Sequence, residues 1–212
     1  MPEQRPLEES VDVVAEPWKG SPYYDEAEKW TYIWWSDSRP FKRMFDRMDQ
    51  TVLLELACGH GRHGVRAQQT AGRLLLMDVL PENVEFCRNR IKGDNVEIML
   101  NNGFDFKPVE DEAVTGIYCY DAMVHFSQDI VASYLKDAHR ILKPGGMALL
   151  HHSNYSGPQA VHYGRHPGAR NYMPRLQFQE FANQAGLAIL ESVTFTWAKV
   201  PDLDCLTLLQ KV

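Results

Sequence analysis

The sequence predicts an α/β fold, in which helices cover both faces of a doubly wound, mostly parallel sheet. Two apolar runs, residues 52–57 and residues 74–77, are nearly continuous, as expected of strands that are buried on both faces. Each run is followed by a short polar or glycine-containing turn and then by the spacing of a helix. Because ligands of such folds bind beyond the carboxyl ends of the strands, these turns form the candidate site.

The bulk composition is that of one ordinary globular domain. The 212 residues are 44% hydrophobic and 24% charged, and this length suits a single core. The 28 acidic residues outnumber the 22 basic ones, which argues against nucleic acid as the main partner. The four cysteines are scattered, and no run of the sequence resembles a signal peptide or a membrane span. We therefore expect a cytoplasmic protein with no membrane partner.

The first 50 residues divide into two parts. Residues 1–16 combine proline and acidic residues with little apolar content, so we expect a flexible tail. Residues 17–50 carry many aromatic residues at roughly helical spacing and are predicted to form a helical cap. These rings either pack on the sheet or close over the ligand site as a lid. We expect packing for most of them and a lid role for Tyr24 and Trp34.

A glycine turn follows the first predicted strand. Its sequence, Cys58-Gly59-His60-Gly61, contains two glycines that allow a tight turn and a close approach of a ligand to the main chain. The next helix begins here, and its unpaired amide groups and positive dipole end favour an anionic group.

The segment from Glu55 to Gly61 resembles the first motif of the class I S-adenosylmethionine-dependent methyltransferases. In that motif an acidic residue precedes three glycines at alternate positions, and here Ala57 replaces the first glycine. The resemblance implies a Rossmann-like domain over residues 51–212, with a seven-stranded sheet that closes with a C-terminal antiparallel hairpin. It also implies S-adenosyl-L-methionine as cofactor, S-adenosyl-L-homocysteine as product, and a methyltransferase of the small-molecule type.

Later elements follow the order of the same family. We predict strands at residues 96–100, 113–120 and 147–151, helices at 81–92, 129–142 and 178–185, and two final strands at 187–197 and 206–210. The sequence Arg-Ile-Leu-Lys-Pro-Gly-Gly at 140–146 resembles a common signature of the family, which ends the helix before the fifth strand.

The ends of the later strands carry candidate cofactor ligands. Asp78 comes 17 positions after Gly61, where a carboxylate of α/β cofactor folds binds the ribose; a helix N-cap is the alternative role. The resemblance aligns Asn102 with the family's Asp that reads the adenine amino group, although Asn-Gly also suits a simple turn. Residues 119–126 resemble the fourth motif, which borders the methionine moiety. The residues predicted to bind the cofactor are Tyr24, Trp34, Glu55, Ala57, Gly59, Gly61, Asp78, Val79, Asn102, Gly103, Phe104, Tyr120 and Asp121.

Histidines near the strand ends are candidate bases. The sulfonium is a good methyl donor, so the protein has mainly to hold the acceptor in line, but a hydroxyl or amine acceptor must also lose a proton. His125 and His152 are preferred over His151 and His162, since strand alternation turns one of the adjacent pair away. Asp121 is predicted to orient a histidine or to hold the methionine ammonium group. Asp121, His125 and His152 are good ligand types, but their spacing fits no metal motif, so no metal is predicted.

The long connection at residues 152–174 is predicted to bind the acceptor. The candidate contacts are His152, Arg165, Arg170, Asn171 and Tyr172. Such residues could fix an acceptor that carries a carboxylate, a phosphate or several hydroxyls, and arginine suits planar anions. The alternative is a solvated loop whose arginines pair with surface acids.

Together these features predict a small-molecule methyltransferase, with oxygen ahead of nitrogen as the acceptor atom. Methylation of a protein or peptide, other S-adenosylmethionine chemistry and a non-catalytic, cofactor-binding regulatory role are the alternatives. The aromatic residues near the N-terminus also leave a homodimer open.

Overall fold

The protein is described from a computed structural model, which defines residues 6–159 and 161–212. Residues 1–5 of the predicted tail and residue 160 of the predicted acceptor-binding connection lie outside the described residues. The strands are β1 (Val52–Leu56), β2 (Arg73–Asp78), β3 (Val96–Leu100), β4 (Val114–Cys119), β5 (Leu142–Ser153), β6 (Leu187–Trp197) and β7 (Val200–Lys211). The α-helices are α1 (Leu7–Ala15), α2 (Tyr23–Glu28), α3 (Thr31–Trp34), α4 (Pro40–Phe45), α5 (Gly64–Ala67), α6 (Pro81–Arg90), α7 (Gln128–Ile141) and α8 (Arg175–Gln184). Short 3-10 segments cover Glu16–Trp18, Met123–His125, Tyr163–Arg165 and Pro167–Ala169.

The strands form one seven-stranded sheet in the order β3-β2-β1-β4-β5-β7-β6. The strands β1 to β5 pair in parallel, and β7 is inserted antiparallel between β5 and β6. This arrangement confirms the predicted mostly parallel sheet with a C-terminal antiparallel hairpin. The strand order reverses between β1 and β4, and such a reversal creates a crevice at the carboxyl ends of the strands.

Two hydrophobic layers enclose the sheet. On one face, α1, α7 and α8 pack over alternate strand residues such as Leu54 and Leu75, and on the other α4, α5 and α6 cover Leu53 and Leu74. All four leucines are buried. The continuous apolar runs therefore arise because successive side chains face opposite layers that are both dry.

The predicted flexible tail is wrong for the residues that the structure describes. Leu7–Ala15 forms helix α1, and its Val11 and Val14 side chains are buried in the core. Their spacing from Leu7 places all three on one helical face, which packs against the sheet. The high acidic content reflects only the opposite, solvated face.

The fifth strand begins earlier than predicted. Helix α7 ends at Ile141, as the proline–glycine signature indicates, but β5 starts directly at Leu142. An irregular pairing between Val114 and Gly116 of β4 absorbs the extra residues, and Gly145 takes a left-handed φ of 77°. The turn that we expected is thus incorporated into the strand.

Among the described residues, the helices include none with the length and apolar content that a membrane span requires.

Candidate active site

A cavity opens at the carboxyl ends of β1, β2 and β4, where the crevice was predicted. Its volume, counted with its solvent-facing mouth, is about 970 Å³. The glycine turn, the ends of the strands and the start of α7 form its inner wall, while α1, α2 and the segment between them form the outer wall. The cavity therefore lies between the sheet and the N-terminal helices.

The glycine turn has three left-handed residues. Gly59 (φ 54°) lines the cavity, and a Cβ atom there would lie 2.8 Å from the ring of Tyr24. Gly61 (φ 74°) instead faces Ile91 at the end of α6, so its lack of a side chain serves packing. Ala57 keeps a left-handed φ of 56° at the position where the family has glycine. The backbone of the motif is thus maintained at the cost of some strain in Ala57.

Glu55 lies on the floor of the cavity. It is buried, and its Oε2 accepts a hydrogen bond of 2.8 Å from the Tyr118 hydroxyl. Burial raises the pKa of Glu55 to about 8, because the desolvated carboxylate is unstable. The side chain is therefore mostly protonated at neutral pH.

Asp78 joins the glycine turn to α6. Its Oδ2 accepts from the Gly59 backbone N–H at 2.8 Å, and its Oδ1 accepts from the Leu80 N–H at 2.9 Å and from Asn83 at 3.0 Å. It is buried and lines the cavity, and burial raises its pKa. The carboxylate is thus held at the predicted ribose position by bonds that also fix the surrounding main chain.

The end of β3 contributes Asn101 instead of Asn102. Asn102 is exposed, and its Oδ1 accepts from the Phe104 N–H at 3.0 Å, which closes a local turn. Asn101 is buried and lines the cavity, with its Oδ1 bonded to the Gly103 N–H at 2.8 Å and to Tyr134. Gly103 lines the cavity and Phe104 packs on the core. Asn102 therefore lies outside the cavity lining, in which Asn101 takes its place.

The outer wall is built by Trp18, Tyr23 and Tyr24, all of which line the cavity. The Tyr24 hydroxyl accepts from Asn83 at 2.9 Å, which ties α2 to α6. Trp34, predicted as the second lid residue, does not line it; its ring packs against Tyr120 with centroids 5.0 Å apart. The outer wall is thus formed by residues that precede Trp34 in the sequence, because α1 brings the chain across the crevice.

Asp121 takes a left-handed φ of 61° immediately after β4. Its Oδ2 accepts from the Tyr23 hydroxyl at 2.5 Å and from Arg62 at 2.7 Å, and its backbone N–H donates to His151 Nδ1 at 2.9 Å. Asp121 therefore links α2, the residue after the glycine turn and β5. It lines the cavity and makes no hydrogen bond to His125.

His125 has a defined tautomer. Its Nδ1 lies 2.8 Å from the Ala169 carbonyl oxygen, which can only accept, so Nδ1 carries the proton and Nε2 has the lone pair. The ring lines the cavity, 4.7 Å from the Trp18 ring. Burial, helped by the positive charge of Arg170, lowers the pKa of His125 to about 4. The imidazole is therefore neutral at physiological pH.

The adjacent histidines point away from the predicted role. His152 is fully buried on the opposite face of β5, where it stacks on Phe178 at 3.5 Å and bonds to Thr207 at 2.9 Å. The expectation that His152 reaches the site mouth is therefore corrected. His151 faces the site side, but both its nitrogens are occupied, since Nε2 donates to Asp204 at 2.9 Å.

Arg170 is buried and fully bonded. Its Nε and Nη2 donate to the two Asp204 carboxylate oxygens at 2.8 and 2.6 Å, and Nη1 donates to the Gly168 carbonyl at 2.7 Å. Its guanidinium lies 4.9 Å from the centre of the Trp197 ring. Arg170 does not line the cavity. It supports the wall from behind, which differs from both of the roles we considered.

The other predicted acceptor ligands also lie outside the cavity. Asn171 donates from its side chain to the His125 carbonyl at 2.8 Å, so it supports the loop that carries the histidine. Tyr172 pairs with Tyr155 in an isolated bridge, and Arg165 is exposed. Long connections of this kind can support a site as well as contact a ligand, and the sequence does not separate the two roles.

Several lining residues were not selected from the sequence. Arg62, which follows the glycine turn, donates to the Ala27 carbonyl at 3.2 Å as well as to Asp121. His63 is buried beside it, and its Nδ1 accepts from Trp35 at 2.9 Å. Their position beside the first motif was an available signal. The selection of Trp18 and Val11 required knowledge of how α1 packs.

Comparisons with known proteins agree with this geometry. The family model described as Methyltransferase domain matches residues 53–146. A comparison with curated protein sequences found no match.

Solved structures of methyltransferases share the fold. A methyltransferase solved in complex with the Haloferax volcanii Trm112 methyltransferase activator is 20% identical, with 97% of each chain covered and a TM-score of 0.67. Geranyl diphosphate C-methyltransferase from Streptomyces coelicolor A3(2), solved with S-adenosyl-L-homocysteine, is 16% identical over 81% of this chain and 74% of its own, with a TM-score of 0.67. An S-adenosylmethionine-dependent methyltransferase from Aquifex aeolicus is 16% identical over 81% of this chain and 89% of its own, with a TM-score of 0.62.

The inner wall of the cavity at the strand reversal lies within the matched Methyltransferase domain of residues 53–146. The fold of the chain is that of solved S-adenosylmethionine-dependent methyltransferases. The cavity also fits S-adenosylmethionine, because two buried carboxylates, Asp78 and Asp121, line it, and this cofactor carries a cationic sulfonium and an ammonium group.

Proposed function

We propose that the protein methylates a hydroxyl oxygen of a small molecule, with His125 as the general base. The observation that carries the proposal is the tautomer of His125. The Ala169 carbonyl fixes the proton on Nδ1, so the lone pair is on Nε2 of a ring that lines the cavity. A positioned, neutral imidazole can accept the proton that a hydroxyl group loses.

The low pKa of His125 favours oxygen over nitrogen. With a pKa of about 4, the ring is too weak a base to deprotonate an ammonium ion at neutral pH. An O–H group, by contrast, becomes strongly acidic as its oxygen gains the methyl group as a third substituent and takes on positive charge, and a weak base then suffices to remove the proton. Nitrogen acceptors are therefore our second choice, limited to amines that are already neutral.

We assign the cofactor to the inner wall of the cavity. Asp78 would accept the ribose hydroxyls, Asn101 and Gly103 would border the adenine, and the glycine turn would lie against the methionine moiety. Asp121 would border the methionine moiety, with its Oδ1 left open to the acceptor. When bound, the cofactor supplies an electrophilic methyl group, and the chain's part is to orient the acceptor and receive its proton.

The enclosed shape favours a small molecule over a protein side chain. Val11, Val14 and Trp18 cover the cavity opposite the sheet, and the Tyr23–Asp121 hydrogen bond of 2.5 Å fastens this cover to the site. A peptide backbone would need an open groove across the strand ends. The same cover supports a lid role for residues 7–28, which is wider than the two residues first selected.

The test compares His125→Asn with His125→Phe. The Asn side chain can still donate to the Ala169 carbonyl but has no atom at the Nε2 position, so it removes the base and retains the structural bond. With a hydroxyl acceptor found by screening for S-adenosylhomocysteine formation, we expect both variants to lower kcat by about 10²- to 10⁴-fold. Cofactor affinity should stay within threefold, roughly, because His125 lies outside the assigned cofactor contacts.

The pH dependence of the reaction is a second test of His125 as the general base. In the wild type, kcat/KM should be flat from about pH 6 to 8 and fall as the pH drops toward 4, where Nε2 takes a proton. His139→Asn, a change on the outer part of α7, should match the wild type. An unchanged rate in His125→Asn would exclude the base role, and an inflection near pH 6.5 would exclude the low pKa.

A further inference from the structure

The acceptor end of the cavity, formed by Trp18, Tyr23, Asp121 and His125, presents atoms that accept hydrogen bonds. His125 Nε2 has a lone pair. Asp121 uses its Oδ2 twice, but its Oδ1 takes no hydrogen bond from any described residue, and its nearest cation is Arg170 Nη2 at 3.7 Å. A molecule bound here meets bases, and it is best held through its own donors.

The cations near this end are already paired. Among the lining residues that the structure describes, Arg62 is the only arginine or lysine, and it donates to Asp121 and to the Ala27 carbonyl. Arg170 lies behind the wall and gives all its bonds to Asp204 and Gly168. Because both guanidinium groups are nearly buried, releasing either from its partner would leave a buried carboxylate unpaired.

The balance of charge along the lining is negative. The lining contains two carboxylates, of Asp78 and Asp121, and one guanidinium, of Arg62. Glu55, with a pKa of about 8, is mostly uncharged at pH 7. The lining histidines are His60, His63 and His125. Burial lowers the pKa of each, so these rings contribute no positive charge at pH 7. S-adenosylhomocysteine adds one carboxylate and one ammonium group, so it leaves this balance unchanged.

Building on the proposed function, we propose that the acceptor is a hydroxyl compound that carries no negative charge and that the site rejects carboxylate- and phosphate-bearing molecules of the same size. Of the acceptors first considered for Arg165 and Arg170, this leaves those with hydroxyl groups and removes the anions. The aromatic rings of Trp18 and Tyr23 add a flat apolar wall, which suits the ring of a phenol.

The test uses three phenols that differ in charge and little in size: 4-ethylphenol, tyramine and 4-hydroxyphenylacetate. Their binding to the S-adenosylhomocysteine complex of the full chain is measured by calorimetry at pH 7. We expect 4-ethylphenol to bind at least about tenfold more tightly than 4-hydroxyphenylacetate, since unpaired like charges in a buried site repel. Tyramine should bind within tenfold, roughly, of 4-ethylphenol, because its ammonium group can face Asp121.

Asp121→Asn tests the cause of the selectivity. The change keeps the shape and removes one negative charge, which leaves Arg62 free to receive an anion. We expect the affinity of 4-hydroxyphenylacetate, relative to 4-ethylphenol in the same variant, to rise at least about tenfold. The matched control Asp37→Asn removes the same charge from a side chain that is 98% exposed, and its ratio should equal that of the wild type.

The outcomes separate this proposal from the role of His125, because binding to the product complex requires no turnover. The predicted ranking combined with an undiminished rate in His125→Asn would uphold the charge selectivity and reject the base. Equal or tighter binding of 4-hydroxyphenylacetate to the wild type would overturn the selectivity, and so would failure of all three phenols to bind. If Asp121→Asn does not fold, the wild-type comparison alone decides.

Discussion

The two ends of the cavity are built in different ways. At the inner end, the glycine turn, the Gly59–Asp78 hydrogen bond and the start of α6 all lie between Cys58 and Asn83 and depend mainly on local backbone conformation. At the acceptor end, side chains from α2, the glycine turn, β4, β5, β7 and the 152–174 connection meet in one buried network. Local sequence determines the first end, whereas long-range packing determines the second.

The network at the acceptor end runs in a single chain of contacts. Arg170 bonds to Asp204, Asp204 to His151, and His151 to the backbone N–H of Asp121, whose carboxylate holds Tyr23. Burial alone would raise the pKa of Asp204, but its hydrogen bonds from Arg170 and His151 lower it to about 2. The carboxylate is thus ionised inside the protein, and both its partners depend on it.

The largest expected effect is therefore that of Asp204→Ala. Removing one partner leaves the buried Arg170 charge uncompensated, so the free energy of unfolding should fall by about 3–5 kcal/mol. Urea unfolding measures this change. Asp37→Ala, at an exposed position, should stay within about 0.5 kcal/mol of the wild type.

The same variant sharpens the comparison between the two ends. If Asp204→Ala still folds at low temperature, its affinity for S-adenosylhomocysteine should change by less than tenfold, roughly, because the inner end lies outside the network. Equal stability of Asp204→Ala and Asp37→Ala would show that the network adds nothing. A large loss of cofactor affinity would show that the two ends are one unit.

Asp78→Ala probes the inner end, with a smaller effect. The change removes the acceptor of the Gly59 and Leu80 N–H groups together with the proposed ribose ligand. Hydrogen bonds to a charged group are worth about 1.5–3 kcal/mol, so the dissociation constant of S-adenosylhomocysteine should rise roughly 10- to 100-fold. Calorimetry measures the constant, and Asp94→Ala, at an exposed position of the α6–β3 connection, is the control.

An unchanged dissociation constant in Asp78→Ala would show that the cofactor does not bind at the end of β2. The ranking of the three phenols should survive this substitution wherever the cofactor is saturating, since Asp78 lies at the other end of the cavity. A change in that ranking would contradict the division into two ends.

How far the sequence predicted each end follows from the same difference. The buried strands, the glycine turn and the position of Asp78 were predictable, because buried strands and glycine turns leave local patterns. The end of β3 at Leu100 agreed with the sequence, but Asn101 lines the cavity and the predicted Asn102 does not, because the Asn102 side chain closes a local turn. The choice between His151 and His152 failed because period-two alternation gives two faces without saying which one meets the ligand.

The outer wall and the role of Arg170 were beyond local reasoning. The burial of Val11 is set by a helix packing over strands far along the chain, and the acidic residues of α1 concealed it. From the sequence, Arg170 is a candidate ligand for an anion. In the structure it pairs with Asp204, which lies 34 residues later in the sequence. Ion pairs between distant segments leave no periodic signal in one sequence.

The smallest expected effect, that of Ala57→Gly, tests whether the inner end is set by backbone conformation alone. A left-handed conformation costs an alanine about 1–2 kcal/mol, while glycine loses about 0.5–1 kcal/mol more conformational entropy on folding. The free energy of unfolding should therefore rise by up to about 1 kcal/mol. Ala132→Gly, the same substitution inside the right-handed α7, should lower it by about 1 kcal/mol.

The comparison of Ala57→Gly with Ala132→Gly isolates the strain at residue 57, because both substitutions delete one methyl group and add the same conformational freedom to the unfolded chain. A gain in Ala57→Gly with a loss in Ala132→Gly would mean that strain at φ 56° outweighs any packing of the Ala57 methyl group. Equal losses would mean that this methyl group packs well enough to offset the strain. In that case a side-chain contact, and not the backbone alone, would define the first position of the turn, and the contrast between the two ends of the cavity would be weaker than the hydrogen bonds indicate.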